Sequence, residues 1–177
     1  MGFHHVALAT KDLAATHRFY GEVMGFELVK VVAGPTPEGG WAKHVFYRTG
    51  DDAAGMIAFW ELHVDSIGDF STDLNTGVGL PVWVNHLAFD APDLDALAAH
   101  RHRWQEHGIT VVEVNHGFCT SIYAQDPNGT MVEFCCTTRP FTPEEVAWAG
   151  EHVLAADVEL EAPPTAVIHK PLTPARA

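Results

Sequence analysis

The chain has 177 residues, 47% of them hydrophobic, and 23 acidic against 10 basic side chains give a formal charge of −13. That length suits one domain or two small modules sharing a core, and the charge argues against nucleic acid or an anionic membrane as partner while leaving a small-molecule substrate open. No apolar run approaches the ~18 residues of a membrane span, and the odd set Cys119, Cys135 and Cys136 makes no disulfide framework, so a reducing cytoplasm is expected.

The N-terminus enters a strand pattern at Phe3 with no signal-peptide layout. His4 to Ala9 reads as a strand. Asp12 caps a helix over Leu13 to Met24, and Gly25 ends it. Phe26 to Val32 reads as the second strand, and the stretch from Gly34 to Gly40 as a loop. Trp41 to Arg48 is the third strand, Gly50 to Gly55 a turn, and Met56 to Leu62 the fourth. Asp65 to Pro81 is polar and glycine-bearing and reads as a linker or lid. The pattern then returns. Trp83 to Phe89 is a strand, Asp93 caps a helix to His107, and Gly108 closes it. Ile109 to Val114, Thr120 to Ala124 and Thr130 to Cys136 are the last three strands of this run. Asp126-Pro127-Asn128-Gly129 is turn chemistry, since Pro presets φ and Asn-Gly tolerates positive φ.

Each run has the order β-α-β-β-β, so the chain is an internal repeat. HHVALATKDL, His4 to Leu13, aligns with NHLAFDAPDL, Asn85 to Leu94. His5 falls on His86 and Asp12 on Asp93. The modules span 1–64 and 83–139, with 65–82 between them and 140–177 beyond. In that extension Thr142 and Glu145 form a capping box, with Pro143 at the first helical position. The Pro-rich sequence after Glu161 reads as a flexible tail or an arm laid on a partner subunit.

Met131, Glu133 and Cys135 share one face of the last strand, and Val132, Phe134 and Cys136 the other. A carboxylate in so apolar a strand is costly unless something neutralises it. Around a pseudo-two-fold axis His5 and His86 would face one another, with Glu133 toward the same cavity. Two imidazoles and a carboxylate make a facial triad suited to non-haem Fe(II), with Mn, Zn or Ni as other occupants.

With His5 in HHVAL, His86 in NHLAF and Glu133 in DPNGTMVEF, the chain resembles the vicinal oxygen chelate superfamily from about Phe3 to Cys136. That superfamily includes glyoxalase I, fosfomycin- and bleomycin-resistance proteins and extradiol dioxygenases. The resemblance implies an α+β fold in which two βαβββ modules form a cupped, mixed eight-stranded sheet around a metal site. It also implies a homodimer. The stretch from His116 through Tyr123 to Glu133 is similar to the extradiol dioxygenase signature. In that family the equivalents of His116 and Tyr123 hydrogen-bond the bound catecholate. The implied activity is extradiol-type cleavage of a catechol-like small molecule.

A missing histidine and a rival ligand keep other readings open. No histidine lies between Asp65 and Asn85, where such enzymes carry an acid–base histidine, and His63 is the nearest candidate. Glu61, late in the fourth strand, could be a fourth ligand beside His5, His86 and Glu133. That would favour glyoxalase-like isomerase, epimerase or lyase chemistry. A metal-free binding protein of the bleomycin-resistance kind is the third reading. Other residues have plain readings. His4 is the outward neighbour of His5, and His100, His102 and His107 face solvent. Cys135 is a small buried hydrophobe, while Trp41, Phe59 and Trp83 line a pocket or pack a core.

Overall fold

The computed structural model describes residues 3–50 and 55–174, so most of the expected turn from Gly50 to Gly55 lies outside the described residues. The fold is α+β, with sheets of four and five strands. All eight repeat strands form, and the extension adds a ninth. Two compact units result, one of Met1–Phe89 with Ala124–Val132, the other of Asp90–Tyr123 with Glu133–Ala177.

In the first unit, β1 (His5–Thr10), β2 (Glu27–Pro35), β3 (Trp41–Arg48) and β4 (Met56–His63) form a sheet of order β1-β4-β3-β2. β1 runs parallel to β4, and the other pairs are antiparallel. β2 continues to Pro35, past the expected start of a loop, because Ala33, Gly34 and Pro35 pair with Lys43, Ala42 and Trp41. Asp12 caps α1 (Leu13–Arg18) by accepting from the Ala15 amide at 2.8 Å. The helix then widens into a π-turn over Phe19–Val23 that buries Phe19, Tyr20 and Val23.

The turn after β7 is held in this unit by a buried carboxylate. Asp126 accepts from the amides of Asn128 and Thr130 at 2.9 and 2.8 Å, from the Asn128 side chain at 2.9 Å, and from the Tyr20 hydroxyl at 3.0 Å. Burial is the main reason its pKa is raised, and these hydrogen bonds oppose the rise. Gly129 has φ +85, and a Cβ there would lie 2.8 Å from Asp73, so glycine is required twice over. The segment before β5 is not a loose linker. Fully buried Asn75 donates to the carbonyls of Val82 and Asn85 and accepts from the Asn85 amide, all within 2.8 Å. Trp83 to Asn85 consequently form a turn, and β5 starts at His86 (His86–Asp90).

β6 (Val111–Asn115), β7 (Cys119–Gln125), β8 (Met131–Thr137) and β9 (Thr165–His169) complete the second sheet, of order β5-β8-β7-β6-β9. Asp93 caps α2 (Leu94–Glu106), which buries Leu97 and Trp104. His100 of this helix does not face solvent as expected. Its ring stacks on Phe134 of β8 at 3.7 Å and 7°, and burial above all pushes its pKa down to about 4. The Thr142–Glu145 capping box opens α3 (Pro143–His152). The C-terminal stretch differs from a free tail, because β9 pairs antiparallel with β6 of its own chain. Glu113 of β6 binds both Arg101 and His169, the latter at 2.9 Å. The chain after β9 is tied to α2 by Leu172 N to Gln105 O at 3.0 Å.

Tyr20→Phe is expected to cost about 1.5–3 kcal/mol, the usual loss for a hydrogen bond to a charged group, read as a lower midpoint in urea with an unchanged slope. His100 is held neutral in the fold, so the unfolded chain takes up its proton first as pH falls. Stability from this group is present above about pH 6.5 and is lost between about 6.5 and 4. His100→Phe keeps the stacking and is expected to reduce the fall in Tm between pH 7 and pH 4.5.

Candidate functional site

In the first unit the sheet has two chemically distinct faces. Paired residues share a face, so His5, Ala7 and Ala9 of β1 go with Met56, Ala58 and Trp60 of β4. Ala58 and Trp60 in turn pair with Phe46 and His44 of β3. Ring contacts bear out this face. His5 lies 5.6 Å from Phe46 and 6.3 Å from His44, and His44 stacks on Trp60 at 3.7 Å. His4, expected merely to point outward, brings its Nδ1 to 2.8 Å from that of His5. His44 was not singled out from the sequence. Its Nε2 is buried and has no hydrogen-bond partner among the described residues, and burial, then the charge of His5, lowers its pKa. The signal was a polar residue in mid-strand, the same signal that marked Glu133.

Glu61 lies on the opposite face. It borders a groove of about 380 Å³ together with Leu13 and Ala14 of α1 and with Lys43, Val45 and Tyr47 of β3. Lys43 donates to it at 2.9 Å, and His63 Nε2 lies 3.3 Å away. The hydrogen bond from Lys43 is the main cause that lowers the Glu61 pKa. Glu61, open from the sequence as a fourth ligand, is therefore an ion-pair residue on the face opposite to that of His5. His63 shares that face and stacks on Trp41 at 3.8 Å, so it is not placed to stand in for an acid–base histidine beside His5. Phe59 is a core residue 4.6 Å from the Tyr20 ring, and Trp83 is 68% exposed.

In the second unit Phe134 of β8 packs on His100 and Trp104 of α2, so the alternation turns Glu133 and Cys135 to the other face. Glu133 is only 4% exposed. Tyr123 of β7 joins it there and places its hydroxyl 3.0 Å from His116 Nε2. Burial, chiefly, pushes the Tyr123 pKa up to about 12, a hydrogen bond with Ser121 opposes this, and the Glu133 carboxylate adds to it. The phenol therefore stays protonated near neutral pH and remains a donor. Cys135 is a half-buried thiol of the same cluster, raised to about 11 mainly by burial, with Ser121 and Cys119 as neighbours.

Of the five expected site residues, His116, Tyr123 and Glu133 are thus brought together on one face. His86 is exposed at the start of β5, with Nδ1 3.3 Å from the Val84 carbonyl. Among the described residues no three His, Cys, Asp or Glu side chains are close enough to hold a metal ion. His5 lies on β1, His86 on β5 and Glu133 on β8.

A family model described as the Glyoxalase/Bleomycin resistance protein/Dioxygenase superfamily matches residues 2–134. Among curated proteins none matches. Among solved structures the chain is similar to a lactoylglutathione lyase from Agrobacterium tumefaciens, at 24% identity and TM-score 0.53 over 76% of this chain and 92% of that one. It is similar to a glyoxylase/bleomycin resistance protein/dioxygenase domain from Frankia sp. EAN1pec, at 18% identity and TM-score 0.59 over 77% and 98%. A fosfomycin resistance protein from Listeria monocytogenes shares 21% identity with TM-score 0.51 over 82% and 97%. At these identities the likeness is one of fold. No helix of the described residues is long and apolar enough to cross a membrane.

The chain has three tyrosines, and burial raises the pKa of Tyr20, Tyr47 and Tyr123 alike. Absorbance at 295 nm should therefore show no tyrosinate in the folded protein below about pH 11, and a titration near 10 in denaturant. A folded-state tyrosine ionising near 10 would contradict the burial argument.

Proposed function

Because this chain belongs to the glyoxalase/bleomycin resistance protein/dioxygenase superfamily, we propose that it is a divalent-metal-dependent enzyme of extradiol type, cleaving a catechol-like small molecule in the cytoplasm. The observation that carries the reading is the run His116–Tyr123–Glu133 on one face of the second unit, with the phenol bonded to the imidazole at 3.0 Å. The donor set proposed for the ion is His5, His86 and Glu133, with Fe(II) favoured and Mn, Zn or Ni as other occupants. Such an ion, when bound, would supply positive charge to two vicinal substrate oxygens.

The chain's own groups have separable tasks. Tyr123 keeps its proton and presents it to a substrate oxygen on which negative charge builds up. His116 orients that hydroxyl through its Nε2. The choice of ring atom that donates in the resting state follows from the partner each side finds. The buried Glu133 is preorganised to oppose a positive charge, and its low exposure makes such a charge worth more there than in water. The contacts of Glu61 with Lys43 and His63 support a three-donor set over a four-ligand, glyoxalase-like one. A homodimer is part of the proposal, to be read by light scattering.

Protein purified without added metal or a histidine tag is expected to carry about one iron per chain, with loss of iron in His86→Ala. Anaerobically Fe(II)-loaded protein should consume O₂ with a catechol in the panel tried, and no uptake with any of them would remove the dioxygenase reading. Zn, Ni or Mn bound in a His86-dependent manner, without O₂ uptake, would point to glyoxalase-like chemistry, and no metal at all to a binding protein. Tyr123→Phe is expected to lower kcat by about 10- to 100-fold, the cost of about 1.4–2.7 kcal/mol of lost hydrogen bonding, with metal content unchanged. Glu61→Gln should leave metal content and kcat within about twofold.

A further inference from the structure

The C-terminal extension lies beyond residues 2–134, the part that the superfamily model matches. It carries an open groove of about 700 Å³. Its wall is apolar, built from Phe141 and from Val146, Trp148 and Ala149 of α3. Trp148 is 49% exposed, and one face of its indole is taken by His152, stacked at 4.5 Å. Three carboxylates, Glu144, Glu145 and Glu161, border the same groove. Glu161 comes from the segment that follows α3.

The charges there are not balanced. Glu145 is consumed by its surroundings, since Arg139 binds it through both guanidinium arms at 2.9 and 2.6 Å and the Thr142 amide donates to it at 2.7 Å. Among the described residues Glu144 and Glu161 enter no ion pair. The net charge of −13 adds a general attraction for cations. An anion would be repelled from this groove. A neutral apolar molecule would have to desolvate two carboxylates without compensation. A bare metal ion would make no use of the apolar wall. An ammonium group on an apolar body satisfies all three features, because the indole also attracts a cation through its π-face.

We propose that the α3 groove binds small organic cations of the arylalkylammonium class. Glu144 and Glu161 take the ammonium charge, and Phe141, Val146, Trp148 and Ala149 take the apolar body.

Benzyltrimethylammonium is the probe, titrated by calorimetry and by the tryptophan fluorescence that Trp148→Phe removes. Saturable binding is expected in the full chain, at least tenfold weaker in the double variant Glu144→Gln/Glu161→Gln and weakened by salt. Benzenesulfonate should not bind. Both replacements are isosteric and exposed, and circular dichroism verifies that the fold is kept. No saturable binding, or binding that is equal in the double variant, overturns the proposal. So does light scattering in which Trp148→Glu lowers the particle mass, since a second copy of the chain would then be covering the groove.

Discussion

A buried carboxylate governs much of the first unit. Asp126 accepts four hydrogen bonds, two from the amides of its own turn, one from Asn128 and one from Tyr20 on the π-turn after α1. A carboxyl group in that position is expensive to bury, and only a full set of donors makes it tolerable. The arrangement therefore specifies a single geometry. Asn128 extends it to Thr16 at 3.2 Å, and Thr16 to Thr10 of β1 at 2.8 Å. Thr72 of the segment before β5 donates to the Asn128 carbonyl at 3.1 Å. One turn thus ties together β1, α1 and the segment that leads into β5.

Strand alternation then decides the chemistry. Glu61 and Glu133 are both carboxylates in the last strand of a module, yet they have opposite fates. Glu61 turns to the α1 face and is neutralised by Lys43. Glu133 turns away from α2 and stands with Tyr123. Counting from the first residue of each strand shows why. Met56 and Met131 start β4 and β8, so Ala58 is the counterpart of Glu133, and Glu61 is out of phase with it. A shift by an odd number of residues moves a side chain to the other face.

The extension follows the same logic of local charge against global charge. The chain is strongly acidic, yet its acidic groups are not equivalent. Glu113 serves as the anchor of β9 through Arg101 and His169, and Glu145 closes a helix cap through Arg139. Glu144 and Glu161 remain beside an apolar wall. Glu113 and Glu145 thus have partners within the fold, whereas Glu144 and Glu161 are the charges that the proposed cation site would use.

The repeat, the order of its elements and the helix caps were legible without coordinates, because they depend on short-range periodicity and on side chains bonding to amides three residues away. Asp12, Asp93 and Thr142 all cap as their spacing implies. The pairing of His116, Tyr123 and Glu133 was also within reach, since all three lie on one strand-turn-strand stretch. Long-range register was not. The stacking of His44 on Trp60, the capture of Glu61 by Lys43 and of His100 by Phe134, and the docking of β9 on β6 each join residues distant in sequence. No local pattern encodes which of several compatible partners a strand edge or a buried ring will find. Tertiary packing makes that choice by satisfying all the buried groups at once.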